Sequence, residues 1–324
     1  MKIAVIGLGS MGKRRIRLVQ NNFDDIEIIG IDTKKERRDE ITANYNVKSQ
    51  NQLSPEDYKN LDAVFVCSSP LSHEKIIKEA IQHKVNVFTE INLINNYYDD
   101  IIKISEENNI KIFLSSTFLY RKEIEYIKNL VSFDNKITYM YHVGQYLPDW
   151  HPWESYESFF VNNVKTNAVR ELFAIELPWI IDVFGPIEKI KVEKRKISKL
   201  NINFPDSYSL ILNHKNGVIG TLNVDVVSRQ AKRNLNIIGE LTQISWNGTP
   251  DSLEKWSNQS KNMEKVNLYD NFDHDTKYAK NIIEDAYLEE IKEFFSIIKG
   301  DVNESKYNIE KDKIIIDWID KIEK

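Results

Sequence analysis

The first twelve residues, MKIAVIGLGSMG, leave little freedom in how this chain begins to fold. Residues 2–6 are a short β-branched apolar run, the pattern of a strand buried on both faces. Glycines at 7, 9 and 12 follow at once, and a segment with Ile16 and Val19 continues them at helical spacing. Strand, glycine turn and helix in direct succession open a βαβ unit, whose next strand must be reached by a crossover and lie parallel. The same alternation recurs. IEIIGID (26–32), LDAVFVCSS (61–69), VNVFTE (85–90) and KIFLSS (111–116) read as strands, and KKERRDEITANY, SHEKIIKEAIQH and YYDDIIKISEEN between them read as helices. Ser72 is placed to cap the helix after LDAVFVCSS. The expectation is an α/β protein opening on a doubly wound parallel Rossmann sheet.

Near residue 117 the pattern changes. A helix at about 167–184 stops at Gly185-Pro186. Closely spaced strand-like runs follow: IEKIKVEKRKI, SYSLILNH, GVIGTLNVDVV, RNLNIIG and QISWNG. This predicts a C-terminal α+β domain with a mostly antiparallel open sheet, and a division into a dinucleotide-binding domain at 1–118 and a substrate-binding and oligomerisation domain at 119–324, the C-terminal helix packing back on the first. A net charge of −5 over 324 residues argues against a nucleic-acid partner or a membrane-surface protein, and no apolar run is long enough to span a bilayer. The single cysteine, Cys67, lies in an apolar run, so no disulfide framework is expected and a cytoplasmic location is.

Gly7-Leu8-Gly9-Ser10-Met11-Gly12 is a GxGxxG in the context that gives it meaning, after a strand and opening a helix, with Asp32 ending the next strand. Gly7 allows the tight turn, Gly9 lets the backbone approach a pyrophosphate, and Gly12 lets helix and strand pack closely. The helix start, including Ser10 and Met11, offers N–H groups and a partial positive charge to phosphates. Asp32 suits the ribose hydroxyls of NAD, whereas Lys34, Lys35, Arg37 and Arg38 leave NADP open. Ser68, Ser69, Pro70 and His73 end the third strand, where ligands of such sheets lie, and Glu90 and Asn92 end the fourth. No spacing suits a metal site, and no motif suggests covalent catalysis.

The order of GxGxxG, SSPLSH, TEIN and an α+β domain carrying GQYLPDWHPW resembles the Gfo/Idh/MocA family of nucleotide-linked oxidoreductases, in a branch with a YLPDWHP motif. The resemblance implies hydride exchange with NAD(P) on a sugar, nucleotide-sugar or nonulosonate-type substrate, in surface-glycan biosynthesis. It also implies a homodimer or homotetramer formed through the open sheet. Family members usually carry Glu-Lys-Pro where this chain has Glu90-Ile91-Asn92, and an Asp and a His four residues apart on a helix that ends in glycine. Counted back from Gly185, Glu171 takes the aspartate position and Ile175 that of the histidine, the group that handles the hydroxyl proton. Ile91 and Ile175 supply no acid or base, so another group must. His151, Glu171, Lys122 and Tyr120 are the candidates. Tyr146, Asp149, Trp150 and Trp153 have the aromatic and polar mixture of a sugar site, and Arg121 and Arg170 suit an anionic substrate. Two other readings remain: an enzyme that retains NAD and performs epimerisation, elimination or glycoside cleavage, and a catalytically silent dinucleotide-binding regulator.

Overall fold

In the computed structural model, which describes residues 1–132, 136–151, 154–270, 272 and 282–324, the chain forms two units. The first takes in Met1–Ser116 and Tyr287–Ile316, the second Thr117–Ala286 and Asp317–Lys324. The first boundary therefore falls just before residue 118, and residues 287–316 group with the N-terminal unit instead of following the second domain.

The N-terminal unit is built from β1 (Lys2–Ile6), α1 (Ser10–Asn22), β2 (Glu27–Ile31), α2 (Lys35–Tyr45), β3 (Lys48–Gln50), α3 (Pro55–Tyr58), β4 (Ala63–Val66), α4 (His73–Gln82), β5 (Asn86–Thr89), α5 (Tyr98–Asn108) and β6 (Ile112–Leu114). The strands are parallel in the order β3-β2-β1-β4-β5-β6, with the topological switch between β1 and β4. Every side chain of β4 is buried, which is why it reads as a continuous apolar run without alternation. The strands are shorter than the apolar runs because the ends, such as Cys67–Ser69, leave the ladder for the ligand edge. Two elements escaped the sequence reading. The edge strand β3 has the sequence KSQ, which carries no apolar signal. The single-turn α3 is held by a capping box between Ser54 and Asp57. Ser72 does not cap α4; its hydroxyl donates to the Ser69 carbonyl at 2.7 Å.

Parallel register sets Phe65, Phe88 and Phe113 side by side across β4, β5 and β6. Their rings stack at 4.7 and 5.0 Å, and Phe294 lies 5.5–5.8 Å from all three. Fully buried Arg15 of α1 lies 4.5 Å over Phe88. Its guanidinium meets two carboxylates, Glu90 at 2.6 Å and Glu290 at 2.6 Å, and also donates to the Ser115 hydroxyl at 3.1 Å. Burial opposes the Arg15 charge, yet Glu90 and Glu290 together hold its pKa above the ordinary value. Burial pushes the Glu290 carboxyl up to about 7.

The second unit begins with α6 (Lys122–Val131) and β7 (Ile137–Gly144) and continues with α7 (Ala168–Phe184), β8 (Ile187–Arg195), β9 (Ser207–His214), β10 (Ile219–Asp225), β11 (Lys232–Gly239), β12 (Gln243–Trp246), β13 (Glu254–Ser257) and β14 (Asn262–Lys265). The chain closes with α8 (Glu284–Lys299) and α9 (Ile309–Glu323). The second sheet runs β14-β13-β12-β11-β7-β10-β9-β8 and is antiparallel except at β7 and β10. Its strands alternate, as at the start of β7, where Ile137, Tyr139 and Tyr141 are buried and Thr138 and Met140 are exposed, so one face is covered and one is open. Helix α7 lies on the covered face and runs opposite to β7: Phe184 stacks on Tyr139 at 4.0 Å, and Glu176, two turns earlier, accepts from Tyr141 at 2.8 Å. The N-terminal turn of α7 therefore lies toward the carboxyl ends of β7 and β10. The β13–β14 hairpin was also absent from the sequence reading.

Replacing Arg15 by methionine is expected to destabilise the protein by about 3–5 kcal/mol, because two buried carboxylates lose their shared cation. Chemical denaturation at two pH values checks this. The loss should be larger at pH 8 than at pH 5, since the Glu290 carboxyl, with its pKa raised to about 7, is ionised only at the higher pH, and a shift below about 1 kcal/mol at both would remove the pair from the stabilising core.

Candidate functional site

Each glycine of the GxGxxG turn has its own physical reason. Gly7 adopts φ +95°, and a Cβ there would lie 2.6 Å from the Ser68 nitrogen. At Gly12 a Cβ would stand 2.0 Å from the Gly7 carbonyl oxygen, so α1 can leave the sheet at this angle only without a side chain. Gly9 differs. Its backbone is ordinary, and a Cβ would meet nothing nearer than the Arg37 guanidinium at 3.6 Å. The protein's own packing does not require glycine at 9, whereas a phosphate resting on the backbone does. Gly9 is also the N-cap of α1, where no side chain caps the helix and no acidic residue opposes its positive end. Ser10 and Met11 form the first turn, and the Met11 sulfur accepts from Arg14 at 3.2 Å. An open cradle over an uncapped helix start fits the pyrophosphate of a dinucleotide.

Asp32 ends β2 almost buried. One carboxylate oxygen accepts the Leu8 N–H at 2.8 Å and the other the Lys34 N–H at 2.8 Å. These bonds aim the carboxylate and leave lone pairs for ribose hydroxyls. Of the basic residues that left NADP open, Arg37 leans on Asp32 at 3.5 Å, Arg38 donates to the Asp32 and Thr33 carbonyls, and Lys35 pairs with Asp39.

The carboxyl ends of β4 and β5 are tied together by a histidine. His73 was expected to reach the cofactor, but it is fully buried. Its Nε2 donates to the Ser68 carbonyl at 3.0 Å, and its Nδ1 meets the Asn92 amide and lies 3.3 Å from the Thr89 hydroxyl. Burial lowers the His73 pKa and so favours the neutral ring; the atom set against Nδ1 is Asn92 Oδ1, and a neutral ring whose Nε2–H is given to Ser68 requires the amide turned over, with its NH2 toward Nδ1. His73 and Asn92 therefore position the Ser68–Pro70 segment. The Ser68 hydroxyl bonds that of Ser72 at 2.7 Å, Ser69 is half-buried, and Pro70 is buried. Glu90, also expected at the cofactor, gives its carboxylate to Arg15. Ile91 between them is half-buried.

In the second unit, Glu171 and Ile175 are both half-buried and share one face of α7. Glu171 Oε2 is buried and makes no hydrogen bond, and desolvation raises its pKa to about 7. The other candidates are arranged differently. His151 is half-buried, its ring edge-on to Phe159 at 4.6 Å, with burial lowering its pKa. Lys122 is exposed, donates to the Leu268 carbonyl at 3.3 Å and lies 4.8 Å over Tyr269. Tyr120 is half-buried in a single turn before α6.

Neither arginine expected to bind a substrate anion is placed for it. Arg121 is buried against Glu123 and lies 4.9 Å over Trp246. Arg170 is buried against Asp320 and Glu323 at 2.6 and 2.5 Å. Each already has the carboxylate that a substrate would have to displace. Tyr146 and Trp150 are half-buried, Trp150 donating to the Gln145 carbonyl, and Asp149 is exposed. Trp153 lies outside the described residues. Among the described residues, no three His, Cys, Asp or Glu side chains could hold a metal ion.

Residues 1–96 match the Gfo/Idh/MocA family, described as an oxidoreductase family with an NAD-binding Rossmann fold. The match covers the first 96 residues, so this N-terminal part of the chain is similar to NAD-binding Rossmann oxidoreductases of that family. Solved structures share the fold over nearly the whole chain. An oxidoreductase from Agrobacterium radiobacter, crystallised with NAD+, L-tartaric acid and magnesium, superposes with a TM-score of 0.81 at 13% identity, covering 99% of this chain and 94% of its own. A UDP-N-acetylglucosamine 3-dehydrogenase from Acidithiobacillus ferrooxidans gives 0.76 at 14% identity, covering 100% and 96%. GenD2 from gentamicin A biosynthesis, in complex with NAD, gives 0.76 at 13% identity, covering 99% and 92%.

The glycines separate folding from binding. Gly9→Ala should leave the melting temperature within about 2 °C, since the added methyl meets only van der Waals contacts, while weakening NAD binding at least about tenfold. Gly12→Ala should lower the melting temperature and binding together. Thermal melts beside NADH fluorescence titrations check both, and unchanged NADH affinity in Gly9→Ala would remove the phosphate role of this turn.

Proposed function

We propose that the protein is an NAD-dependent oxidoreductase of a sugar or nucleotide-sugar hydroxyl, in which Glu171 replaces the missing lysine and histidine as the proton-transfer group. The observation that carries this reading is the Glu171 carboxyl. Its inner oxygen is buried without a partner, and its pKa of about 7 lets it hold or release a proton at neutral pH. Natural cores seldom leave a carboxylate oxygen buried and unbonded, and such groups concentrate at reactive sites. Ile175, one turn on, removes water from its side without competing for the proton.

When bound, the nicotinamide accepts hydride from the substrate carbon or returns it. The protein's own side chains do the rest. Asp32 would hold the adenosine ribose and the glycine turn the pyrophosphate of the dinucleotide. His73 and Asn92 fix the edge beside it. Glu171 takes the hydroxyl proton as the carbon is oxidised, and gives it back in the reverse direction. The uncompensated burial of its ionised form favours a protonated carboxyl, so the driving force for taking a proton is built into the fold. The two fold relatives crystallised with NAD support the cofactor, and the UDP-N-acetylglucosamine 3-dehydrogenase among them supports the substrate class.

The chain also fits an oligomer. Met140, Ile211, Ile219 and Ile238 stand 42–48% exposed on the open face of the second sheet, an apolar surface suited to a second copy. Light scattering should give a mass at least twice 38.0 kDa. A monomer at micromolar concentration would refute that part of the reading.

Glu171→Gln tests the proton role in two ways. It should lower kcat at least about 100-fold while leaving NADH affinity unchanged. In wild type, kcat/KM for oxidation should rise with pH through an ionisation near 7, because the base must be unprotonated. Stability should move the other way. A carboxyl whose folded pKa is about 7 binds its proton more tightly than in the unfolded chain, so stability falls between about pH 4.5 and 7. Glu171→Gln removes this cost and should stabilise the protein by on the order of 1–3 kcal/mol at pH 8, with little change at pH 4.5. Full activity in the glutamine variant would end the proposal. Substrate conversion without net NADH accumulation would instead favour chemistry that retains NAD.

A further inference from the structure

The geometry points to Arg229, stacked on Tyr146, as the group that recognises an anionic part of the substrate. Arg229 is exposed in the segment joining β10 to β11, where it reads as an ordinary surface residue. Its guanidinium lies 3.6 Å over the centre of the Tyr146 ring. Stacking of this kind fixes the plane of the guanidinium and leaves its N–H edge free to form paired hydrogen bonds. Unlike Arg121 and Arg170, it has no carboxylate partner among the described residues.

The segment that carries it is rigidly built. Asp225, ending β10, accepts the N–H groups of Val227 and Ser228 at 2.9 and 2.7 Å, the Ser228 hydroxyl at 2.9 Å, and His142 Nε2 at 2.7 Å. Gly144 makes room for this carboxylate, since a Cβ there would lie 2.5 Å from Asp225 Oδ2. The facing segment is bonded to it, with Leu147 N–H donating to the Val226 carbonyl at 2.9 Å and Gln145 N–H to that of Asp225 at 3.3 Å. Tyr146 lies between these two bonds. Both partners of the stack are therefore held before any ligand arrives, at the carboxyl ends of β7 and β10, the end toward which the Glu171 turn of α7 lies. A planar fixed fork at a sugar site is matched by a planar or tetrahedral oxyanion, either a sugar carboxylate or a nucleotide diphosphate.

This inference rests on the oxidoreductase reading for the identity of the sugar, and its test is separable from that reading. Calorimetric titrations of glucuronate, UDP-glucose and glucose into the full-length protein, with and without saturating NAD, compare wild type with Arg229→Ala, Arg229→Lys and Tyr146→Leu. One or both anionic probes should bind wild type more tightly than glucose. Arg229→Ala should weaken that binding about 10- to 100-fold, with glucose binding and the melting temperature unchanged. Arg229→Lys should recover only part, and Tyr146→Leu should fall between wild type and Arg229→Ala. Preference for glucuronate identifies a carboxylate, and preference for UDP-glucose a diphosphate. Equal binding by Arg229→Ala and wild type, or no anionic probe binding tighter than glucose, would overturn the assignment. Anion binding through Arg229 with no NAD binding would uphold it while refuting the oxidoreductase reading.

Discussion

Arg15 holds the ligand edge of the N-terminal unit together from inside. It sits on a helix that starts at the glycine turn, and its guanidinium reaches Glu90 after β5, Ser115 after β6, and Glu290 on α8. One buried cation thus links the phosphate-binding turn to the ends of two neighbouring strands and to a helix nearly 300 residues away in sequence. Such an arrangement is costly to desolvate and is stable only when complete, so it acts more as a clamp on geometry than as a source of net stability. It also changes what Glu90 is. In sequence, Glu90 reads as a residue offered to a ligand, yet in the structure it is an anchor. With Asn92 held by His73, the Glu90-Ile91-Asn92 segment is fastened on both sides of the isoleucine.

The second unit uses a carboxylate in the same way. Asp225 gathers two backbone N–H groups, a hydroxyl and an imidazole, and so shapes the segment leading to Arg229. Glu176, fully buried, accepts from Tyr141, Trp179 and Arg233 and pins α7 to the sheet. Glu171, five residues earlier on that helix, makes no such bonds at its inner oxygen. The contrast underlies the role proposed for Glu171. Where a buried carboxylate has donors, its charge is neutralised and structural. Where it has none, it keeps a tunable proton.

How much of this was legible depends on where each partner lies in the chain. The parallel sheet could be read because strand, glycine turn and helix are local signals, and Gly7 and Gly12 are needed for contacts within ten residues or with the adjacent strand. Helix α7 was readable to its end because Gly185 follows a long apolar segment. Strand β3 and the β13–β14 hairpin were not, since short polar strands form through their neighbours and carry little pattern of their own. The charged residues were hardest. Arg15 looks like part of the basic stretch KRRIR, and nothing local distinguishes it from Lys13. Arg170 looked free because its partners, Asp320 and Glu323, come about 150 residues later. Arg229 looked superficial for the converse reason: its partner Tyr146 lies across two strands joined only in three dimensions.

The two isoleucines then become intelligible, each within its own unit. A lysine at 91 would place a second cation beside the segment that Arg15 already serves, close to Glu90, and compete for that carboxylate. An isoleucine leaves the clamp undisturbed. At 175, a histidine one turn from Glu171 would share its proton and, when charged, pull the carboxyl back toward its ordinary pKa, because an opposite charge within a few ångströms stabilises the ionised form. An isoleucine there keeps Glu171 desolvated and its pKa high. Removing the basic partners is therefore part of what makes a lone carboxyl serviceable near neutral pH. If Glu171 is the acid–base group as proposed, restoring either residue alone would unsettle it, and so would not by itself rebuild the usual lysine–histidine pair.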